Sequence, residues 1–277
     1  MPQIDSPQAS ETLILSVVIP AHNEVGSIAQ VLEALCQSLS AGGVVHEIVV
    51  VDDHSTDGTA QAVATVARTY PAIRCISNPY PPGFGLAVRA GLDAFAGDAV
   101  AIVMADGSDP PEDVVRCYVE LCRGYDCVFG SRFLDGSRVT DYPWMKLVFN
   151  RLANLFIRVL FRIPLNDTTN AFKCYRQQVI EGVRPILSNH FNLTVELPLK
   201  AIVRGFSFSV IPIGWRGRTE GVSKLKIKEM GSRYLFIVLY VWLEKHLARG
   251  DYHRGRFQLE SPVNRQVSRA RRRNDVG

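Results

Sequence analysis

The sequence has no apolar run of the roughly 18 residues that a membrane-spanning helix needs, so we expect no segment that crosses a bilayer. Its start lacks a basic stretch followed by an apolar one, so we expect no signal peptide, and residues 1–11 are predicted to form a disordered leader. Its 6 cysteines form no CxxC pair, and most of them lie among apolar residues. We therefore expect buried, reduced thiols and a cytoplasmic protein.

Charge of one sign is not in large excess, because 31 basic and 27 acidic residues give a formal net charge of only +4. We therefore expect no nucleic-acid partner. Residues 250–277 are predicted to form a basic, disordered tail, which is either simply solvated or tethered to an anionic surface. The 47% hydrophobic content is ample for a core, and 277 residues fit one large α/β domain or two modest ones.

Apolar runs alternate with helical patterns through the first half of the chain. Buried strands are predicted at residues 13–20, 46–51, 73–77, 99–105 and 125–129, with a further strand at 206–213. Helices are predicted between them, and Asn23 is a candidate cap for the first one. Strands that alternate with helices imply a mostly parallel, right-handed α/β sheet with helices on both faces.

The chain changes character at Asp106, where the fourth apolar run gives way to glycine, serine, aspartate and two prolines. A carboxylate at the carboxyl end of a central parallel strand lies where open α/β sheets bind ligands. Pro110 and Pro111 suit the first turn of a following helix, and Glu112 suits its positive N-terminal end. The alternative is that Asp106 is only a turn residue at the end of a strand.

Two adjacent carboxylates, Asp52 and Asp53, end the second predicted strand. Such a pair is costly unless it meets donors or cations, and sugar hydroxyls, base N–H groups or a metal ion would serve. Helix capping explains the polar residues 55–57 that follow, but it does not explain the pair. The glycines of residues 83–91 either let backbone amides approach an anion at a helix start or only punctuate a loop.

The second half of the chain contains a predicted amphipathic helix at residues 144–163. Its Arg151, Arg158 and Arg162 lie within roughly 40° of one another, beside a broad apolar face. This pattern is typical of a helix that lies in a membrane interface, although a helix on the surface of a core gives a similar one.

Two further segments have related chemistry. The loop at 214–224 combines cations, glycines and a serine, which suits a phosphate-bearing ligand or a merely solvated loop. Residues 225–249 are predicted to form a second amphipathic helix. Its apolar run is too short to span a bilayer, and Trp242 suits a membrane interface.

Together these motifs resemble glycosyltransferase family 2 and, within it, the dolichol- and polyprenyl-phosphate mannosyltransferases. The resemblance covers residues 13–249. The matching segments are 18–24, 51–59, 83–91, Ala105–Asp106 with 110–112, 130–132, 167–173, and Arg218 with Gly221, Ser223 and Lys224. The first two segments point to the family, and the later ones favour the branch that uses lipid phosphates.

The resemblance implies a GT-A fold, a Rossmann-like sheet over residues 12–224, followed by a juxtamembrane helix at 225–249. It implies that Asp106, with Ser108, binds Mg²⁺ or Mn²⁺ on the donor diphosphate. Arg132 and Lys173 would meet the acceptor phosphate and complete the catalytic set with Asp106. The residues that would hold the nucleotide sugar are Pro20, Ala21, Glu24, Asp52, Asp53, Gly85, Arg218, Ser223 and Lys224.

One position departs from the family pattern. The family commonly has Asp-x-Asp where this chain has Met104 and Asp106. A thioether is a poor ligand for Mg²⁺ or Mn²⁺. Asp106 alone can suffice, because Mg²⁺ often takes one or two carboxylates plus substrate phosphates and waters, and Asp109 is a possible substitute ligand.

The implied activity is an inverting transfer of a hexose, mannose by resemblance, from a nucleotide sugar such as GDP-mannose to a polyprenyl or dolichyl phosphate. The implied location is peripheral, on the cytoplasmic face of a membrane. Three alternatives stay open: a UDP-glucose donor, a saccharide or diacylglycerol-type acceptor, and a catalytically silent partner that binds nucleotide sugars. The base, the sugar and the oligomeric state are likewise left open.

Overall fold

The structure is a computed structural model that describes residues 12–217 and 227–254. Within these residues the central element is a seven-stranded sheet, accompanied by a separate two-stranded ribbon. The strands are β1 (Leu15–Ala21), β2 (His46–Asp52), β3 (Ile73–Ser77), β4 (Ala99–Ile102), β5 (Cys127–Ser131), β6 (Arg138–Thr140), β7 (Lys173–Arg176), β8 (Phe208–Pro212) and β9 (Gly214–Arg216).

The sheet has the strand order β3-β2-β1-β4-β7-β5-β8, and β6 pairs with β9 in the ribbon. All neighbouring strands of the sheet are parallel except β7, which runs antiparallel to β4 and to β5. The predicted mostly parallel α/β sheet is therefore confirmed. The strand β7 was not predicted from the sequence. Only two of its four residues, Cys174 and Tyr175, are apolar, so the pattern there does not indicate a strand.

Helices cover both faces of the sheet. Those on one face are α1 (Ile28–Ala41), α2 (Thr59–Ala67) and α4 (Pro111–Cys122). Those on the other face are α3 (Phe84–Ala94), α5 (Trp144–Phe161), α6 (Gln177–Gly182), α7 (Leu193–Val203) and α8 (Ile227–Leu247). The apolar residues of the central strands are divided between these two cores, because successive side chains of a strand point to opposite faces.

Two local predictions are wrong. The strand β4 ends at Ile102 rather than at Asp106, because the amide of Met104 donates to the Asp109 carboxylate, at 3.1 Å, instead of to a neighbouring strand. Asn23 does not cap α1, which begins after Ser27. Asn23 has a left-handed backbone (φ 55°), and its side-chain oxygen accepts the Thr56 amide at 2.8 Å.

The helix α5 presents its apolar side outward. Its exposed residues, named here the α5 outer face, are Trp144, Met145, Val148, Phe149, Leu152, Leu155, Phe156 and Val159. Its buried residues are Asn154, Ile157 and Phe161, so the inward side is partly polar. This reverses the usual arrangement of a surface helix, in which the apolar stripe faces the core.

The helix α8 lies beside α5, and the Lys245 amine donates to the Phe161 carbonyl at 2.6 Å. It also exposes a row of apolar residues: Leu235, Phe236, Leu239, Leu243 and Leu247. Trp242 instead packs against the core and is half-buried. Among the described residues no helix, α5 and α8 included, is long and apolar enough to cross a membrane.

Candidate active site

The carboxyl ends of β1, β2 and β4 meet at one edge of the sheet, as in other open α/β sheets. In register, Ala21 lies opposite Asp52, and Pro20 lies opposite Val51. Asp52 is half-buried at the end of β2, and its carboxylate accepts the Ser55 amide at 3.2 Å. The structure therefore places Pro20, Ala21 and Asp52 side by side at this edge.

Glu24 is brought to the same edge by the loop between β1 and α1. The Ser27 hydroxyl lies 3.2 Å from the Glu24 carboxylate and 2.9 Å from the carbonyl of Ala105. The Glu24 amide donates to the Thr59 hydroxyl at 2.9 Å. These bonds hold Glu24 beside the turn that contains Asp106.

Asp53 faces inward, unlike its neighbour Asp52. It is 6% exposed, and its two carboxylate oxygens accept the Asn78 side-chain amide at 2.7 Å and the Gly83 amide at 2.9 Å. A buried carboxylate with two such donors ties the end of β2 to the start of α3. This contact within the protein explains the Asp52–Asp53 pair without a ligand on Asp53.

Gly85 likewise has a packing reason. A Cβ added at this position would lie 2.6 Å from backbone atoms of Asn189 and His190. The glycine therefore lets α3 approach the 189–190 backbone closely. The close packing of α3 on these residues accounts for the missing side chain at position 85.

Asp106 is half-exposed in the turn that follows β4, and its carboxylate accepts the Ser108 amide at 3.0 Å. The side chain of Ser108 is buried, and its carbonyl accepts the amide of Arg216 at 3.2 Å. Among the described residues no three His, Cys, Asp or Glu side chains form a metal-binding group. This donor set fits a Mg²⁺ or Mn²⁺ ion that takes one protein carboxylate and completes its coordination with a bound diphosphate and water.

Asp109 points into the protein, where its carboxylate accepts the Met104 amide. Burial raises the pKa of Asp109 to about 7, although that hydrogen bond opposes the shift. Its side chain is 6% exposed, so Asp109 braces the turn from behind rather than replacing the missing carboxylate at position 104.

Arg132 follows β5 and forms a buried ion pair with Asp167. Its Nε and Nη2 each donate to the Asp167 carboxylate at 2.8 Å, and its backbone amide donates to the same group at 3.0 Å. Burial alone would lower the pKa of Arg132, but the charge and hydrogen bonds of Asp167 outweigh it and raise that pKa. Asp167 is fully buried, whereas Arg132 is 9% exposed, so the arginine is the more accessible member of the pair.

Lys173 lies deeper than the sequence suggests. It is 1% exposed in the middle of the sheet, and its amine donates to the carbonyls of Thr168, at 3.1 Å, and of Asn170. Burial lowers the pKa of Lys173 to about 7, against the opposing charge of Asp167. An amine with these partners supports the loop that contains Asp167.

Arg218, Ser223 and Lys224 lie outside the described residues. The stem that leads to them is described, and it packs against the Asp106 turn. Gly214 donates to the Asp113 carboxylate at 2.7 Å, and a Cβ at Gly214 would lie 2.6 Å from Pro110.

Sequence reasoning missed a polar cluster beside Arg132. Its members are Tyr142, Asn150, Asn154, Thr168 and Thr169. The available signal was two asparagines four residues apart on an otherwise apolar helix, which places both on one side of α5.

Several known proteins are similar to this chain. The sequence profile described as Glycosyl transferase family 2 matches residues 16–184. The polyprenol monophosphomannose synthase of Mycolicibacterium smegmatis is 32% identical over 215 residues, which are 76% of this chain and 80% of that protein. The dolichol-phosphate mannosyltransferase of Pyrococcus furiosus is 29% identical over 77% of this chain, which spans only 60% of that longer protein.

Solved structures show the same fold. Glucosyl-3-phosphoglycerate synthase from Mycobacterium tuberculosis, crystallised with Mn²⁺, uridine diphosphate and glucosyl-3-phosphoglycerate, superposes with a TM-score of 0.64. The alignment covers 84% of this chain and 80% of that one, at 19% sequence identity. The same enzyme with Mn²⁺ and UDP-glucose gives a TM-score of 0.63, at 20% identity over 84% of this chain and 79% of that one.

Proposed function

The chain belongs to glycosyl transferase family 2, and we propose that this glycosyltransferase moves mannose from a nucleotide sugar, GDP-mannose, to a polyprenyl or dolichyl phosphate. The relatives named for these acceptors support the proposal. The main structural support for a lipid-linked acceptor is the position of α5. One side of this helix is apolar and exposed, and the other side contacts the loop beside the Arg132–Asp167 pair.

The reaction needs little acid–base chemistry from the protein. A lipid phosphate has a second pKa of about 6, so at neutral pH it is mostly a dianion and already a nucleophile. Its oxygen attacks the anomeric carbon of the sugar, the bond to the nucleoside diphosphate breaks, and the configuration inverts. The protein must hold two anions in line and offset the charge of the leaving diphosphate.

The residues at the sheet edge divide this work. Pro20, Ala21, Glu24 and Asp52 surround the nucleoside, and Arg132 meets the acceptor phosphate. Asp106 holds the Mg²⁺ or Mn²⁺ ion, which when bound offsets charge on the donor diphosphate. Lys173 and Asp53 support the site from inside, as their buried contacts indicate.

Three residues of this proposal are outside the described part of the chain. By the family resemblance, Arg218, Ser223 and Lys224 are assigned to the donor phosphates. The support for this role is that the preceding residues 214–216 contact Ser108 and Asp113 near Asp106.

Transfer is tested by incubating the protein with labelled sugar nucleotides, Mg²⁺ or Mn²⁺, and a short polyprenyl phosphate. We expect label in the organic phase with GDP-mannose and much less with UDP-glucose. Label with UDP-glucose alone would replace the donor, and label on a saccharide or diacylglycerol would replace the acceptor. Binding of GDP-mannose without transfer under either metal would show a silent binding partner and overturn the proposal.

The same function places the protein peripherally on the cytoplasmic face of a membrane, with the α5 outer face against lipid. The exposed Arg158 and Arg162 next to that face suit anionic headgroups. The six cysteines are free thiols, which supports a reducing compartment.

Replacing both Phe149 and Leu152 by aspartate should lower binding to phosphatidylglycerol-containing vesicles at least about tenfold, because each buried apolar side chain contributes about 1.5–3 kcal/mol. Both residues are more than half exposed, so folding should tolerate the change. The measurement is vesicle co-sedimentation. Val119→Asp is the matched control, since Val119 is 44% exposed on α4 at the other face of the sheet. Equal vesicle binding by the double variant and the wild type would rule out the α5 outer face as the lipid contact.

A further inference from the structure

We propose that Asn150 and Asn154, on the inward side of α5, are positioning residues. They hold the Arg132–Asp167 pair in a fixed position relative to α5, whose other side faces lipid. The inference rests on the proposed function, because it assigns the pair to the end of the site that receives the lipid phosphate. It adds a role for two residues to which the proposed function assigns no substrate contact.

Asn154 fixes the loop that follows Asp167. It is 2% exposed, and its side-chain oxygen accepts the Thr168 amide at 2.6 Å. Its own amide group donates to the Asn150 carbonyl at 3.0 Å and lies 3.4 Å from the Thr169 hydroxyl. The residue next to the buried carboxylate is thereby bonded to α5.

Asn150 fixes the arginine from a second direction. Its side-chain oxygen accepts the Thr169 hydroxyl at 2.9 Å, and its amide group donates to the Tyr142 hydroxyl at 3.0 Å. Arg132 lies 3.4 Å from each of these two hydroxyl groups, through Nη2 and Nη1 respectively. Both groups that flank the guanidinium are therefore held by one asparagine of α5.

The two asparagines lie on the inward side of α5, opposite its apolar outer face. A buried amide side chain is unfavourable unless its hydrogen bonds are made, and here both asparagines make theirs to the segment around the ion pair. The opposite side of the same helix is the α5 outer face. Because a helix moves as one rigid element, a shift of that face in a bilayer also shifts the partners of Arg132.

The cluster also touches the donor side of the site. The ring of Tyr142 packs against the ring of Trp215, with centroids 4.9 Å apart. Trp215 is in β9, which leads into the segment that contains Arg218 and Lys224. Tyr142 is therefore the residue through which α5, Arg132 and this stem are in contact.

The test compares three variants: Asn154→Ala, Asn150→Ala at a less buried position, and Asn78→Ala as a control. Asn78 is an equally buried asparagine (5% exposed) that bonds Asp53 on the nucleotide side. Hydrogen–deuterium exchange of the free protein is followed by mass spectrometry in peptides that cover 165–172. Initial rates then give KM for polyprenyl phosphate and for the sugar nucleotide.

We expect both α5 variants to exchange at least about tenfold faster in 165–172, because the buried Thr168 amide or the partly buried Thr169 hydroxyl loses its partner. We expect the acceptor KM to rise at least about tenfold with the donor KM within about twofold, since the lost bonds lie around the Arg132–Asp167 pair and the packing of Tyr142 on Trp215 is kept. Asn78→Ala should leave exchange in 165–172 unchanged and should not raise the acceptor KM selectively.

Unchanged exchange in both α5 variants would overturn the positioning role, and so would equal rises in the two KM values. If the wild type transfers no sugar to polyprenyl phosphate, the proposed function fails, whereas the exchange measurement still decides whether α5 holds the loop.

Discussion

Replacing Asp106 by alanine is expected to lower kcat/KM for sugar transfer at least about a thousandfold, because a metal ion on a phosphate oxygen supplies several kcal/mol of charge stabilisation. Asp106 is half-exposed at the sheet edge, where Ser108 orients its carboxylate. The neighbouring Asp109 is turned inward, and position 104 is a methionine. Among the described residues no group of three His, Cys, Asp or Glu side chains could hold the metal in place of Asp106.

The measurement is initial-rate transfer across a range of Mn²⁺ concentrations. Asp98→Ala is the matched control, since Asp98 precedes the same strand at its opposite end and its exposed carboxylate accepts only the Ile14 amide, at 2.8 Å, among the bonds described. That variant should keep transfer within about twofold of the wild type, as surface substitutions usually do. If the Asp106 variant retains a tenth or more of the activity at saturating Mn²⁺, Asp106 is not the metal ligand.

The positions of β1, β2 and β4 could be predicted because each contains an uninterrupted apolar run, as strands buried on both faces require. Ile73–Ser77 was predicted with the observed bounds. The switch from apolar to polar residues near Asp106 placed that residue beyond a strand end. The prediction missed only that Met104 bonds to Asp109, which ends β4 early. The local sequence pattern therefore predicts best those strands that are covered on both faces of the sheet.

Other parts of the fold depend on contacts between residues distant in sequence. The strand β7 inserts between β4 and β5, although its residues 173–176 follow β5 only after the excursion through α5. The ribbon of β6 and β9 joins segments more than 70 residues apart. These short strands contain no apolar run like that of β4, so neither element could be predicted from sequence.

The candidate site shows where a motif stops being informative. Asp52 and Asp53 are adjacent and chemically identical, yet Asp52 lies at the edge while Asp53 binds Asn78 and Gly83 inside. Successive residues point in opposite directions, so the motif alone cannot say which carboxylate meets a ligand. Gly85 is a similar case, since the atoms that exclude a side chain there belong to the distant backbone of Asn189 and His190.

Replacing Lys173 by methionine is expected to remove most of a pH dependence of stability between pH 7 and pH 10. Burial lowers the pKa of Lys173 from 10.5 to about 7 in the folded protein, so between these values the unfolded chain binds a proton that the folded chain does not. Stability therefore rises with pH across this window and is lost as pH falls from about 10.5 to about 7. The total change is up to about 5 kcal/mol at about 1.4 kcal/mol for each pKa unit.

Urea denaturation at pH 7, 8, 9 and 10 measures this directly, because the free energy of unfolding should rise less steeply in Lys173→Met than in the wild type. The methionine keeps the volume of the side chain but leaves the carbonyls of Thr168 and Asn170 without their donor, so some stability is lost at pH 10. Lys245→Met is the control: its amine also donates to a carbonyl, that of Phe161, but the residue is exposed. Identical slopes for Lys173→Met and the wild type would mean that the amine keeps its proton in the fold, and Lys173 would then add a positive charge behind Arg132 rather than a neutral support for the Asp167 loop.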